Sequence, residues 1–257
     1  MTKKSRPLGN ERENIVNELR KNGRKAYNQT LANGISVMNK RLFAIGDIHG
    51  CFDSLKELVE NKIQLQKNDK LILLGDYIDR GDKSKEVVDF IIELQQTGFD
   101  VIPLIGNHES MLLDAYETEK NISRWIQNGG EVTLKSFEIG SLKDIESKYI
   151  MFFKDLKYYY SFEDYLFVHA GFNDNVVNPF IDYYSMLWNC KESYTNPLFE
   201  NKTIIHGHKP IMISKYEESV PSKLNVINID TGCVYNDKEG YGRLTAYDCY
   251  NQRRLSV

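Results

Sequence analysis

The sequence predicts a layered α/β domain, and three observations carry that prediction. From Arg41 onward, short aliphatic runs of strand length alternate with stretches of helical period. Helical patterns lie between the first three runs, the order expected of βαβ units. The runs end, one after another, in carboxylates, imidazoles or an amide.

The first strand is "RLFAI" (41–45), and "SLKELVENK" (54–62) follows it as a helix. "KLILL" (70–74) is the second strand. The next helix, "SKEVVDFIIELQQ" (84–96), repeats its apolar residues Val87, Val88, Ile91 and Leu94 at helical spacing. "DVIPLI" (100–105) is the third strand, and Met111 to Tyr160 reads as mostly helical. Four more strands follow: "DYLFV" (164–168), "KTIIH" (202–206), "NVINI" (225–229) and "RLTAY" (243–247).

A chain of 257 residues is long enough to bury a substantial core as one large domain, expected over 38–257. Residues 1–37 read as an appended extension, with eight Lys/Arg against three Glu and a thin apolar face on a short helix from Asn10 to Gly23. Apolar residues make up 41% and charged residues 27%, the balance of a soluble globular enzyme. The net charge of -3 gives no sign of general nucleic-acid binding. No window has the ~18 to 20 apolar residues of a membrane span, and the N-terminus lacks the apolar centre of a secretory signal. A cytoplasmic monomer is the expectation. Cys51, Cys190, Cys233 and Cys249 are scattered without a C-x-x-C pair, so they read as reduced thiols.

The chemistry concentrates at the strand ends. The first strand leads into Asp47 and His49, the second into Asp76 and Asp79, the third into Asn107, His108 and Glu109. Later strands deliver His169, then His206 and His208, then Asp230. In open α/β sheets that edge is where ligands bind. All five histidines of the chain fall there, although a single histidine is more often an ordinary surface or core residue. Carboxylates, imidazoles and an amide oxygen without thiolate suit Mn²⁺, Fe or Zn²⁺. The donors are too many for one open catalytic metal, and a carboxylate can bridge two ions roughly 3.5–4 Å apart, an arrangement that assists displacement at phosphorus.

The blocks "GDIHG" (46–50), "GDYIDRG" (75–81), "GNHE" (106–109), "HAG" (169–171) and "HGH" (206–208) occur in that order. With "NGGEVTL" (128–134) and "IDTG" (229–232), they make the chain resemble the phosphoprotein-phosphatase branch of the calcineurin-like metallophosphoesterases, in its bacterial and phage form. The resemblance covers Arg41 to about Asp248. It implies a layered sandwich of two central mixed β-sheets flanked by helices, and hydrolysis of phosphoric monoesters, with serine/threonine phosphoproteins as the expected substrates. Small phosphoesters and symmetrical dinucleoside tetraphosphates are the rival substrates, and a weakened phosphate-binding module the rival function. It implies two divalent ions, expected to be Mn²⁺. Asp47 and His49 would bind the first, Asp76 would bridge, and Asn107, His169 and His208 would bind the second. His108 would protonate the leaving group, oriented by Asp79, and Arg80 would hold phosphate oxygens while a metal-bridging hydroxide attacks.

Glu109 reads as a tie for its own loop, His206 as a neighbour of the site, and Asp230 as a rim residue or a support for the last turn. Two positions depart from the pattern. Cys190 follows Trp188 by two where relatives usually carry a second phosphate-binding arginine, and Lys191 is the nearest substitute charge. Asp82 stands where a proline is common, and is expected to face solvent.

Overall fold

Strand β1, Leu42–Ile45, is apolar at every position because both of its faces are covered. Leu42 and Ala44 point into one core, Phe43 and Ile45 into another. A half-solvated strand would alternate apolar with polar residues; here the period of two sorts apolar residues between two cores. The computed structural model describes residues 40–214 and 226–257. The helix expected near 10–23 and the extension 1–37 lie outside the described residues.

Two sheets result. The first has the order β3-β2-β1-β8-β9, with β2 at Lys70–Leu73, β3 at Asp100–Pro103, β8 at Thr245–Asp248 and β9 at Arg253–Ser256. Strands β1, β2 and β3 are parallel, while β8 and β9 are antiparallel to their neighbours. The second sheet has the order β4-β5-β6-β7, formed by Tyr159–Phe162, Tyr165–Val168, Thr203–His206 and Val226–Asn228. Its last three strands are parallel and β4 is antiparallel to β5.

Leu42, Ala44, Ile72 and Leu74 from the first sheet meet Phe167, Ile205 and Ile227 from the second, which makes the layer between the sheets. The outer face of the first sheet is covered by helices. Helix α1, Phe52–Lys56, continues as a π-helix over Glu57–Ile63, whose wider turn keeps Leu58, Val59 and Ile63 all inward. Helix α2 spans Ser84–Gln96 as the spacing predicts, burying Val87, Val88, Ile91 and Leu94. Each such side chain contributes about 1.5–3 kcal/mol. Helix α3 is Asn107–Glu117, α4 is Ile122–Trp125, α5 is Glu131–Ser136 and α6 is Ser147–Asp155.

Two strands escape the sequence pattern. Strand β4 falls where the helical reading was extended to Tyr160; its tyrosines are half-buried at a sheet edge and lack an aliphatic run. Strand β9 is "RRLS", too polar to register. Strand β8 begins two residues later than the "RLTAY" reading.

The parallel strands of both sheets deliver their carboxyl ends to one region. There, β1 leads into Asp47, β2 into Asp76, β3 into Asn107, β5 into His169 and β6 into His208. Helix α7, Tyr183–Trp188, brings Trp188 against His208, ring centroids 5.9 Å apart.

Candidate functional site

Asp76 is the centre of the site. Its Oδ2 lies 3.4 Å from His49 Nε2 and 3.5 Å from His169 Nε2. Two groups with metal-ligand spacing share it: His49, Asp76 and His108 on one side, Asp76, His169 and His208 on the other. Asn107 joins the second group, its Oδ1 2.9 Å from both His169 Nε2 and His208 Nδ1. Asp47 stands in neither group. It is buried beside them, its carboxylate accepting the His208 backbone N–H at 3.0 and 3.2 Å and lying 4.0 Å from His169 Nδ1.

The donor set fits a cation. His49 Nδ1 faces the Ile78 carbonyl at 2.8 Å and His169 Nδ1 the Leu74 carbonyl at 3.0 Å. A carbonyl only accepts, so both Nδ1 atoms carry the proton and both Nε2 atoms present lone pairs. His169 Nε2, Asn107 Oδ1 and Asp76 Oδ2 are therefore three acceptors turned toward one another, with few protons between them. Such an arrangement is resolved by a metal ion. Burial lowers His49 to about 3 and His208 to about 4, and lowers His169 too, keeping them as the neutral imidazoles that ligate. Burial would raise Asp76, but the charge of a protonated His108 and the bond from its backbone N–H at 3.1 Å oppose it, and the carboxyl is held below its ordinary value. Burial and the neighbouring Asp230 and Asp76 push Asp47 up, and a cation would reverse that.

The backbone is bent hard to make this cluster. His49, Asp76, Asp79, Arg80 and His208 all have positive φ, between 46° and 70°. Each such residue costs on the order of 1–3 kcal/mol, and the surroundings must over-determine it. Glu109 does much of that: Oε2 accepts from the Asp76 and Gly106 amides at 2.9 Å, and Oε1 from Tyr77 at 2.7 Å. The structure thus gives Glu109 the loop-tying place that its sequence position suggests. Gly81 is required as well, because a Cβ there would lie 2.1 Å from the His49 carbonyl.

Beside the donors, His108 Nδ1 is 2.6 Å from Asp79 Oδ2, and its ring meets that of His49 edge-on at 4.7 Å. Burial opposes the charged ring, but Asp76 and the hydrogen bond that Nδ1 donates to Asp79 outweigh it and raise His108 above its ordinary value. Two residues that the sequence did not single out complete this arm. Trp125 Nε1 donates to Asp79 Oδ2 at 3.0 Å, and Thr133 Oγ1 donates to Asp79 Oδ1 at 2.6 Å. The signal was the "NGG" that separates them: Gly130 has no room for a Cβ against the Trp125 ring, nor Gly129 against the Arg80 backbone. Arg80 Nη1 donates to His49 Nε2 at 2.6 Å, which places its guanidinium at the mouth of the cluster.

The remaining residues sort themselves. His206 belongs to neither donor group; its Nδ1 donates to the Gly207 carbonyl at 3.0 Å, 3.8 Å from Cys190 Sγ. Asp230 Oδ1 accepts the Gly232 amide at 2.8 Å, bracing the last turn, while its Oδ2 is buried without a partner. Asp82 is exposed. Lys191 lies 3.9 Å from Asp174, so its charge is shared with a carboxylate. The four cysteines are free. Among the described residues, no helix is long and apolar enough to cross a membrane.

Two layers of mixed sheet with paired metal-donor groups at their converging strand ends define a metal-dependent phosphoester hydrolase. The chain belongs to the calcineurin-like phosphoesterases, whose family pattern matches residues 40–233. It is similar to serine/threonine-protein phosphatase 2 of Salmonella typhimurium, 30% identical over 77% of this chain and 89% of that protein. It is also similar to the asymmetrical bis(5'-nucleosyl)-tetraphosphatase PrpE of Anoxybacillus flavithermus, 27% identical over 83% of this chain and 92% of that one. Among solved structures, a protein serine/threonine phosphatase from Saccharomyces cerevisiae shares the fold with a TM-score of 0.57 at 16% identity, over 86% of this chain and 80% of its own. Members of the family work with a dinuclear metal centre.

Proposed function

We propose that this chain is a metal-dependent phosphomonoesterase acting on phosphoserine and phosphothreonine in proteins. The observation that carries the reading is the sharing of Asp76 by two donor groups, in one of which the buried His108 Nε2 has no hydrogen-bond partner among the described residues. Similarity to a serine/threonine-protein phosphatase over 77% of this chain supports the substrate.

In this reading Asp47 and His49 would hold one divalent ion, Asn107, His169 and His208 would hold the other, and Asp76 would serve both. Divalent ions bound there, Mn²⁺ by preference, would supply an acidified water and positive charge for the phosphoryl oxygens. The chain's own residues do the rest. Arg80 turns its planar fork from His49 to the phosphate oxygens, whose geometry it matches better than lysine does. His108, held as imidazolium by Asp79, gives the Nε2 proton to the departing serine or threonine oxygen. Trp125 and Thr133 fix the Asp79 carboxylate and so the direction of that proton.

Assay with Mn²⁺ on an aryl phosphate and a phosphoserine peptide tests this: no peptide turnover, or turnover untouched by His108→Asn, rejects it. A second reading is favoured by the similarity to PrpE and by a segment 45% identical over 80 residues to the symmetrical bis(5'-nucleosyl)-tetraphosphatase of Buchnera aphidicola. Those 80 residues are 31% of this chain and 27% of that protein. A kcat/KM preference of more than about 100-fold for diadenosine tetraphosphate over the peptide, roughly 2.7 kcal/mol, decides for the dinucleotide.

A further inference from the structure

We propose that a cavity beside His208 binds the acidic flank of the substrate, a carboxylate carried by the same peptide as the scissile phosphate. The proposal rests on the phosphoprotein reading and names the kind of phosphoprotein. The cavity holds about 550 Å³, and its lining includes Trp188 and His208, the latter a member of one donor group. Its charged lining consists of Lys191 and Lys209, and no aspartate or glutamate lines it. The thiol of Cys190, also on the wall, is kept neutral by burial, which pushes it up to about 12. The cavity therefore presents the charge of Lys209 and that of Lys191, which Asp174 shares from outside the lining, and no carboxylate of its own.

Both lysines are placed to use those charges. Lys209 follows a proposed metal ligand directly, and its backbone is pinned at both ends. Its amide donates to Gly207 at 2.9 Å and its carbonyl accepts from Asn228 at 2.8 Å. Its side chain is exposed, and among the described residues no carboxylate pairs with it. Lys191 is held loosely, 3.9 Å from an Asp174 whose oxygens already accept from Thr195 and Asn196. A cavity of this volume is roughly 8 Å across, and an extended peptide advances about 3.3–3.6 Å per residue. An acidic side chain about two residues from the phosphoserine reaches it.

The test uses the full chain loaded with Mn²⁺ and two phosphoserine peptides that differ by Asp or Ala two residues from the phosphate, on either side. The wild type is expected to favour the acidic peptide about tenfold in kcat/KM, with the ratio shrinking as salt rises. K191E/K209E is expected to bring the ratio to one or invert it. A wild-type ratio within twofold, or a preference that survives charge reversal, overturns the cavity assignment and leaves the phosphoprotein reading standing. Turnover of an aryl phosphate and diadenosine tetraphosphate, but of neither peptide, overturns both.

Discussion

His108 Nδ1 and Asp79 Oδ2 are 2.6 Å apart, both fully buried, and the other nitrogen of the same ring has no hydrogen-bond partner among the described residues. One face of the imidazole is thus committed to a carboxylate and the other reserved. If His108 is the acid, His108→Asn lowers kcat by about 10² to 10⁴ on substrates with a poor leaving group. An aryl phosphate, whose leaving group needs no proton, loses far less. Comparing kcat for an alkyl and an aryl phosphate checks this; equal losses argue against proton donation.

Asp79→Asn tests positioning. The amide cannot hold the imidazolium, so the alkaline limb of the pH profile moves: the fall in kcat with rising pH is expected to begin at lower pH than in the wild type. A merely structural role for Asp79 lowers activity without moving the profile.

How much of this was legible beforehand depends on distance along the chain. The donors sit within four residues of a strand end, so the strand pattern and the ligand chemistry pointed to the same positions. Trp125 and Thr133 act through Asp79 from 46 and 54 residues away. Their side chains have ordinary core roles, and only the loss of Cβ at Gly129 and Gly130 marked the contact. Strand β4 was missed for a related reason: Tyr159–Phe162 is paired by the next strand, not by its own periodicity.

Gly130→Ala places a Cβ within 2.4 Å of the Trp125 ring, which is completely buried. Overpacking of this kind costs about 1–3 kcal/mol, and displacing the indole also loosens Asp79. Lower thermal stability together with lower kcat is expected. Gly140→Ala, with nothing within 4 Å, is the control and is expected to be neutral in both.

Asp76 belongs to both donor groups, so Asp76→Asn is expected to reduce bound metal from about two ions to less than one per chain, as in two-metal centres generally. His49→Asn affects one group and is expected to leave about one. Elemental analysis after Mn²⁺ reconstitution distinguishes them. Equal stoichiometries in the two variants would remove Asp76 from the bridging position.

Arg80 is the guanidinium at the mouth, and Cys190 offers no second one. Arg80→Ala is expected to remove a charge-assisted contact of about 1.5–3 kcal/mol, or roughly 10- to 150-fold in kcat/KM. Inhibition by inorganic phosphate should weaken in parallel. A loss below about threefold in both measurements means that another group holds the phosphate.

Helix α7 carries Trp188 to the edge of His208, and its first turn is held by Asp182. Asn173 donates to that carboxylate at 2.8 Å, and Ser185 donates through its amide at 3.1 Å and its hydroxyl at 3.0 Å. These bonds hold Asp182 below the ordinary 3.8. For Asp174, partial burial would raise the carboxyl, but the bonds from Thr195 and Asn196 prevail and hold it below the same value. A carboxylate depressed in the folded state binds its proton more readily when unfolded. Its contribution is therefore complete above about pH 4 and lost as pH falls through the ordinary value and below. Segment 173–200 is expected to open in acid before the sheets do, seen as loss of amide protection there as pH falls below about 4. At neutral pH, Asp182→Ala removes the helix cap at a cost of about 0.5–2 kcal/mol. It should also abolish the Asp182 share of the acid step. An unchanged acid transition in that variant would place the sensitivity elsewhere in the fold.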